Sequence, residues 1–142
     1  MSRILCVDDE DEVRIALKRR LEREGHAVDM ANGVKEGAEM IRNSAPSYDV
    51  VITDMSMDED DSGIQMLKAA VEHDVFTEVI VLTAYGNVQN AVACMQMGAY
   101  DYVEKNIPGA DVYELLILKL NRALEQRQAT LRTLNRLKKT VG

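Results

Sequence analysis

The chain has 142 residues, of which 46% are hydrophobic, and its formal net charge is −7. This length and apolar content suit one domain with a short appendage, and the apolar runs are too short to predict a membrane span or a signal peptide. Cys6 and Cys94 lie in apolar stretches without metal-type spacing, so we expect buried, reduced thiols and a cytoplasmic location.

Short apolar runs alternate five times with stretches of helical periodicity. Gly25 and Gly98 are expected to end the first and fourth helices, and Asn32 is expected to cap the second. The predicted strands are 3–8, 27–30, 48–53, 78–83 and 99–103, and the predicted helices are 10–24, 32–43, 64–71, 86–97 and 111–140. This alternation predicts an α/β fold, with a five-stranded parallel sheet of order 2-1-3-4-5, helices on both faces (flavodoxin-like) and an extended C-terminal helix.

The last predicted helix is too long to lie entirely against a globule of about 120 residues. At 1.5 Å per residue it would be about 45 Å long. It carries a heptad seam with two charged interruptions, formed by Ile117, Leu120, Leu124, Arg127, Leu131, Leu134, Lys138 and Val141. We therefore predict a domain over residues 1–122 and a helical extension over 123–142, which is either a linker or a coiled-coil dimerisation helix.

Charge is unevenly distributed between these two parts. Seven Lys and Arg residues, against the single acid Glu125, lie from Lys119 onward, so this tail carries +6 and residues 1–118 carry −13. A body that acidic does not attract nucleic acid through its general field, and direct nucleic-acid binding by this chain is not expected. The basic tail is interpreted as a solvated helix face or as a contact for an acidic partner.

Five polar residues lie at the ends of four predicted strands: Asp8, Asp9, Asp54, Thr83 and Lys105. The carboxyl ends of parallel strands meet at one edge of a sheet, where open α/β sheets bind their ligands. Three carboxylates, a hydroxyl and an ammonium can together hold a divalent cation and a phosphoryl group. The pattern therefore predicts a phosphoryl site with Mg²⁺ at this edge.

Each of these residues has a role that suits its chemistry. Asp8 and Asp9 repel each other unless a cation relieves them, and Mg²⁺ prefers such oxygen ligands. We expect Asp9 to bind the ion directly and Asp8 to bind it through water; the alternative is that Asp9 caps the first helix. Asp54 can act as a nucleophile that forms an acyl phosphate, or can simply begin a turn. Thr83 can donate a hydrogen bond to a phosphoryl oxygen, and Lys105 can place a positive charge on it.

With these residues in place, the sequence resembles the receiver domain of two-component response regulators over about residues 2–122. The resemblance implies that Asp54 accepts a phosphoryl group from a phosphohistidine on a sensor histidine kinase. It also implies Mg²⁺ at Asp9 and Asp54, with the backbone carbonyl of Ser56 as a third ligand, and a switch pair of Thr83 and Tyr102. The motifs that carry the resemblance are Val7-Asp8-Asp9, Val51-Ile52-Thr53-Asp54-Met55-Ser56-Met57, Leu82-Thr83-Ala84-Tyr85-Gly86 and Gly98-Ala99-Tyr100-Asp101-Tyr102-Val103-Glu104-Lys105.

The same resemblance implies a signalling switch whose conformation or oligomeric state controls an output. We expect a homodimer through the face of the fourth and fifth helices and through the C-terminal helix. We expect no enzymatic activity beyond phosphoryl transfer to the chain itself and slow autodephosphorylation.

Two departures from the receiver pattern border the site. Receivers usually have a proline directly after the lysine, whereas Asn106 and Ile107 precede Pro108 here. We therefore expect a different loop and a less fixed Lys105, because a cis peptide at Lys105-Asn106 would cost about 3 kcal/mol. The loop after Asp54, from Asp58 to Gly63, is one residue longer than the usual spacing.

Three alternatives remain open from the sequence. Asp58, Asp60, Ser62 and Gly63 match the start of an EF-hand loop, but Ala69 stands where the bidentate glutamate should be. A metal-dependent phosphatase with an aspartyl-phosphate intermediate would usually have a second acid at position 56, which is a serine. A phosphorylation-independent scaffold would not need the complete residue set.

Overall fold

The computed structural model describes residues 2–84 and 88–141. Within these ranges five strands and five helices alternate. The strands are β1 (Arg3–Val7), β2 (Ala27–Ala31), β3 (Val50–Asp54), β4 (Glu78–Thr83) and β5 (Asp101–Glu104), and the helices are α1 (Asp11–Arg23), α2 (Val34–Asn43), α3 (Ser62–His73), α4 (Val88–Gln96) and α5 (Val112–Val141). The strands form one parallel sheet of order β2-β1-β3-β4-β5, as predicted.

Both faces of the sheet are buried, because alternate side chains of each strand point to opposite sides. On one face Leu5 and Val7 belong to a core with Met66 and Leu67 of α3. On the other face Ile4 and Cys6 belong to a core that includes residues of α1 and α5. This double coverage explains why β1, β3 and β4 are continuous apolar runs.

The two cysteines are free and buried, as predicted. Burial, reinforced by the charge of Asp8, raises the pKa of the Cys6 thiol to about 12. Burial also raises the pKa of Cys94 to about 11. Among the described residues, no helix combines the length and the apolar content that a membrane span needs.

The glycines predicted to end two helices do so, whereas the predicted N-cap of α2 is wrong. Gly25 and Gly98 have φ of 93° and 104°, a left-handed conformation that stops a helix. The prediction that Asn32 caps α2 is wrong: Gly33 is the N-cap, and the Asn32 N–H donates to the Glu36 carboxylate at 3.0 Å. The predicted start of α4 at Gly86-Asn87 falls outside the described residues.

The helix α5 has 30 residues and runs without a break across the predicted boundary at residue 122. Ala123, Leu124 and Arg127 lie beyond that boundary and are nevertheless buried. The guanidinium of Arg127 pairs with Asp49 at 2.9 Å and with Asp74 at 3.3 Å, beside the first residues of β3 and at the end of α3. The heptad seam as far as Arg127 therefore packs against the chain's own domain. Beyond it, Leu131 and Leu134 are partly buried and Lys138 is exposed.

Two helical glycines lie against neighbouring groups and respond differently to an added methyl group. A Cβ at Gly63 would lie 3.0 Å from the Met55 Cα, whereas a Cβ at Gly37 would first meet the flexible end of Met66 at 2.8 Å. We expect Gly63→Ala to lower the free energy of unfolding by about 2 kcal/mol, because backbone must move. For Gly37→Ala we expect a smaller change, since Met66 can move aside and alanine gains about 1 kcal/mol of helix propensity. Urea unfolding followed by circular dichroism measures both, and equal losses would contradict this account.

Candidate functional site

The predicted edge of the sheet brings the polar residues together. Asp8 directly follows β1, Asp54 and Thr83 are the last residues of β3 and β4, and Lys105 directly follows β5. Backbone hydrogen bonds tie these strand ends to each other: the Lys105 N–H donates to the Thr83 carbonyl at 2.8 Å, and the Met55 N–H donates to the Leu82 carbonyl at 2.7 Å. Residues far apart in sequence therefore share one site, as the strand pattern predicted.

The ammonium of Lys105 lies between two buried carboxylates. Its Nζ is 3.0 Å from Asp54 Oδ2 and 3.3 Å from Asp8 Oδ2. Both ion pairs place the Lys105 ammonium at the site, and the expectation that Lys105 is less fixed stays a prediction. In the residues described, the cis peptide bond is Ala45-Pro46, so the Lys105-Asn106 peptide is trans.

These contacts set the charge balance of the site. Burial raises the pKa of Asp54 above its ordinary value, and the hydrogen bond and charge of Lys105 only partly counteract it. Burial lowers the pKa of Lys105, but the contacts with Asp54 and Asp8 together outweigh burial and raise it. The site therefore holds a desolvated Asp54 beside a protonated Lys105. Additional positive charge would favour the ionised form of Asp54.

A cluster of carboxylates lies next to this pair. Asp8, Asp9 and Glu10 each offer an oxygen, and these three atoms lie within 4.8 Å of one another. Asp8 is buried, whereas Asp9 and Glu10 are exposed. Hard oxygen donors in this number suit Mg²⁺, so the residues present fit the ion that the sequence predicted. Glu10 was not among the predicted ligands, and its only signal in the sequence is its position directly after two aspartates.

The alternative role for Asp9 as a helix cap is wrong. Glu10 is the N-cap of α1 and makes no side-chain capping hydrogen bond. The Glu10 N–H instead donates to the Asp8 carboxylate at 2.9 Å. Asp9 is therefore available at the surface of the cluster.

Thr83 and Ser56 also border the acceptor. Thr83 is buried, and its hydroxyl donates to the Ala84 carbonyl at 3.2 Å. A backbone hydrogen bond from Ser56 helps to lower the pKa of Asp54 against burial. The structure therefore gives both residues the position that the sequence predicted, while the roles of the Thr83 hydroxyl and the Ser56 carbonyl stay predictions.

Tyr102 lies on β5 and is partly buried against the core shared with α3. Lys119 of α5 lies beside it, with its Nζ 6.0 Å from the ring centroid and 3.1 Å from the Tyr102 carbonyl. The same ammonium pairs with Asp101 at 2.8 Å. Tyr102 is thus in contact with α5 through Lys119, and its pairing with Thr83 as a switch stays a prediction.

The loop after Asp54 does not have the form of an EF-hand. The strand β3 precedes it, and Ser62 and Gly63 already belong to α3. The Gly63 N–H donates to the Met55 carbonyl at 2.8 Å, which folds the loop back toward β3. Across residues 2–84 and 88–141, Asp58 and Asp60 join no group of three candidate metal ligands.

The chain was compared with known proteins and structures. A family model described as the response regulator receiver domain matches residues 4–117. The photosynthetic apparatus regulatory protein RegA of Rhodobacter capsulatus is 34% identical over 116 residues, covering 82% of this chain and 61% of RegA. The regulatory protein AtoC of Escherichia coli K12 is 38% identical over 125 residues, covering 88% of this chain and 26% of AtoC.

Solved structures give the same result. The crystal structure of a response regulator receiver domain protein from Clostridium thermocellum has a TM-score of 0.82 and 31% identity, and the match covers 92% of this chain and 99% of that one. The receiver domain of NtrX from Brucella abortus has a TM-score of 0.73 and 30% identity, with coverage of 86% and 98%. This chain therefore spans nearly all of two isolated receiver domains but only part of the curated regulators RegA and AtoC. The sheet order, the strand-end residues and these matches lead to one conclusion: the chain belongs to the response regulator receiver domain family.

Proposed function

We propose that this chain is a phosphorylation-activated signalling switch in which Asp54 accepts a phosphoryl group from a phosphohistidine on a sensor histidine kinase. The observation that carries the proposal is the Lys105 ammonium, 3.0 Å from Asp54 and 3.3 Å from Asp8 at the carboxyl edge of the sheet. Receiver domains are phosphorylated by histidine kinases, and the presence of Asp8, Asp54, Thr83 and Lys105 at that edge supports the proposal.

The transfer needs a nucleophile and nearby positive charge. An Asp54 carboxylate oxygen forms a bond to phosphorus while the bond from phosphorus to the histidine nitrogen breaks, and the imidazole leaves with the electron pair. Lys105 offsets charge on the phosphoryl oxygens, and the Thr83 hydroxyl reorients to donate to one of them. Thr83 ends β4 and Lys105 directly follows β5, so the side chains can act without movement of the sheet backbone.

Asp8, Asp9, Asp54 and the backbone carbonyl of Ser56 would hold Mg²⁺ in this proposal. The ion would supply further charge compensation to the phosphoryl group when bound. Support comes from the clustered oxygens of Asp8 and Asp9 and from the burial of Asp54, which raises the pKa of its carboxyl and which nearby positive charge would oppose. The exposed carboxylate of Glu10 adds to the negative field there.

The switch would use Thr83 and Tyr102 and would act on α4, β5 and α5. Phosphorylation adds about −1.5 to −2 charges at neutral pH, which draws the Thr83 hydroxyl toward the acceptor. Exposed Val92 and Met95 on α4 and exposed Leu137 on α5 are surfaces through which a homodimer could form. RegA and AtoC are named as regulatory proteins and are longer than this chain, so we propose that the output lies in a longer regulator.

Mass measurement after incubation with acetyl phosphate and Mg²⁺ tests the acceptor. Wild type is expected to gain one phosphoryl group and Asp54→Asn none. Asp60→Asn, which changes an exposed carboxylate in the adjacent loop, is the matched control and should gain one. Equal uptake by wild type and Asp54→Asn would refute the assignment, and turnover of an external phosphate ester would favour a phosphatase instead.

A further inference from the structure

A cavity of about 400 Å³ borders the acceptor between α1 and α5. Its apolar lining includes Leu17 of α1, Leu82 of β4 and Leu116 of α5, all of them buried. Asp54 and Lys105 line the same cavity. The remaining lining residues are Glu10, Val13, Ser56, Ala84, Asn106, Val112 and Tyr113.

The two helices that form the walls are held together from outside. The Arg20 guanidinium of α1 lies 4.9 Å from the Tyr113 ring centroid of α5 and 3.8 Å from an Asp111 carboxylate oxygen. Asp111 also accepts hydrogen bonds from the first backbone N–H groups of α5. These contacts connect α1 with the start of α5. Asn106, which stands where receivers usually have proline, also lines the cavity.

The lining indicates the chemical class of a ligand. An apolar cavity of about 150 Å³ is enough to hold benzene, so about 400 Å³ accommodates a ring together with a phosphoryl group. Val13, Leu17, Leu82 and Leu116 would remove the ring from water. The phosphoryl end would lie with Asp54 and Lys105, because Asp54 is the proposed acceptor and the Lys105 ammonium lies 3.0 Å from it.

We propose that this cavity makes the acceptor site selective for acyl phosphate donors whose acyl group is apolar, such as benzoyl phosphate. This inference rests on the proposed function of Asp54. In the transfer, an Asp54 oxygen bonds to phosphorus, the bond from phosphorus to the acyl oxygen breaks, and benzoate leaves with the bonding electron pair. No proton has to move, and no oxidant or reductant is required.

Labelling kinetics with benzoyl phosphate and acetyl phosphate test the proposal. Benzoate and acetate are leaving groups of similar basicity, so a difference in KM reports mainly on binding of the acyl group. With Mg²⁺ present, we expect the KM for benzoyl phosphate to be about tenfold lower. Val13→Phe, which fills the wall of the cavity, should remove this advantage and leave labelling by acetyl phosphate within about twofold.

Ile15→Phe is the matched control, since Ile15 lies on α1 but is 53% exposed. It should keep the preference for benzoyl phosphate. Binding of non-transferable phenylphosphonate, followed by methyl NMR signals of Leu17, Leu82 and Leu116, gives a second readout. Methylphosphonate should perturb these signals much less.

The outcomes separate this inference from the proposed function. Equal KM values for the two donors, or an equal effect of Val13→Phe on both, would overturn selectivity and leave Asp54 as the acceptor. Failure of both donors to label wild type would remove the proposed function, and selectivity with it. Phenylphosphonate binding that does not perturb the three leucines would place the ligand outside this cavity and overturn the inference.

Discussion

Lys105→Met is expected to slow labelling of Asp54 by acetyl phosphate by about a hundredfold, the typical cost of losing one preorganised charge at a reacting group. The Lys105 ammonium is 3.0 Å from the Asp54 carboxylate and 3.3 Å from that of Asp8, and its side chain is 18% exposed. The same change should destabilise the metal-free fold by roughly 3 kcal/mol, because it leaves two buried carboxylates without their cation. Mass-resolved labelling kinetics and urea unfolding in the presence of a chelator measure the two effects.

Lys119→Met is the matched control for this prediction. Lys119 also pairs with an aspartate, Asp101, at 2.8 Å, and its side chain is 22% exposed, but it lies on α5 away from Asp54. It should label within a few-fold of wild type. Similar slowing by both variants would show that the loss of any paired lysine, rather than charge at the acceptor, explains the effect.

Removing the acids that face Arg127 is expected to have the second large effect. The Arg127 side chain is 8% exposed, and its Nη1 is buried without a hydrogen-bond partner among the described residues. Asp49→Asn combined with Asp74→Asn would leave the buried guanidinium without either of its ion-pair carboxylates, and arginine cannot deprotonate to escape the cost. We expect a loss of roughly 3–5 kcal/mol in the free energy of unfolding. Urea unfolding followed by circular dichroism is the measurement, since the chain has no tryptophan.

Arg127→Met should cost less than the double acid variant, because methionine fills the same space and the acids it leaves behind are partly exposed. Its cost should depend on pH through Glu78. Burial raises the pKa of Glu78 and the charge of Arg127 lowers it, so removing Arg127 raises that pKa further. A raised carboxyl pKa contributes stability that is present below the ordinary value of 4.5 and is lost as pH rises through the folded value.

The difference between Arg127→Met and wild type should therefore grow as pH rises above about 4.5 toward neutrality. Asp11→Asn is the control, since that side chain is 79% exposed and its surface pair with Arg14 should contribute under about 1 kcal/mol. A pH-independent cost for Arg127→Met, or an equal cost for Asp11→Asn, would contradict this account.

The strand order and the acceptor edge were predictable because they depend on local patterns. Continuous apolar runs identify strands that are buried on both faces, and a polar residue at the end of such a run must emerge at the carboxyl edge. Asp8, Asp54, Thr83 and Lys105 could therefore be placed together before any contact was known. Glu10 was missed because an exposed acid next to two aspartates has no periodic signal of its own.

The heptad seam shows where a local pattern was insufficient. A leucine every three or four residues predicts a buried helix stripe, but the stripe is the same whether it is covered by a second chain or by the same domain. The long terminal helix was therefore predicted correctly, but Arg127 was interpreted as an interruption of a pairing surface. Tertiary structure decided the partner, since Asp49 and Asp74 come from strand and helix ends that meet Arg127 only after the sheet has formed.

Sequence by itself thus determined the fold class, the topology and the set of residues at the acceptor edge, because alternation and strand-end placement follow from backbone geometry. Only the tertiary structure decided that Lys105 bridges Asp54 and Asp8, that half of the seam is covered from within, and that a cavity lies between α1 and α5. These features depend on distances between side chains that are remote in the chain, and such distances are set by packing rather than by any local period.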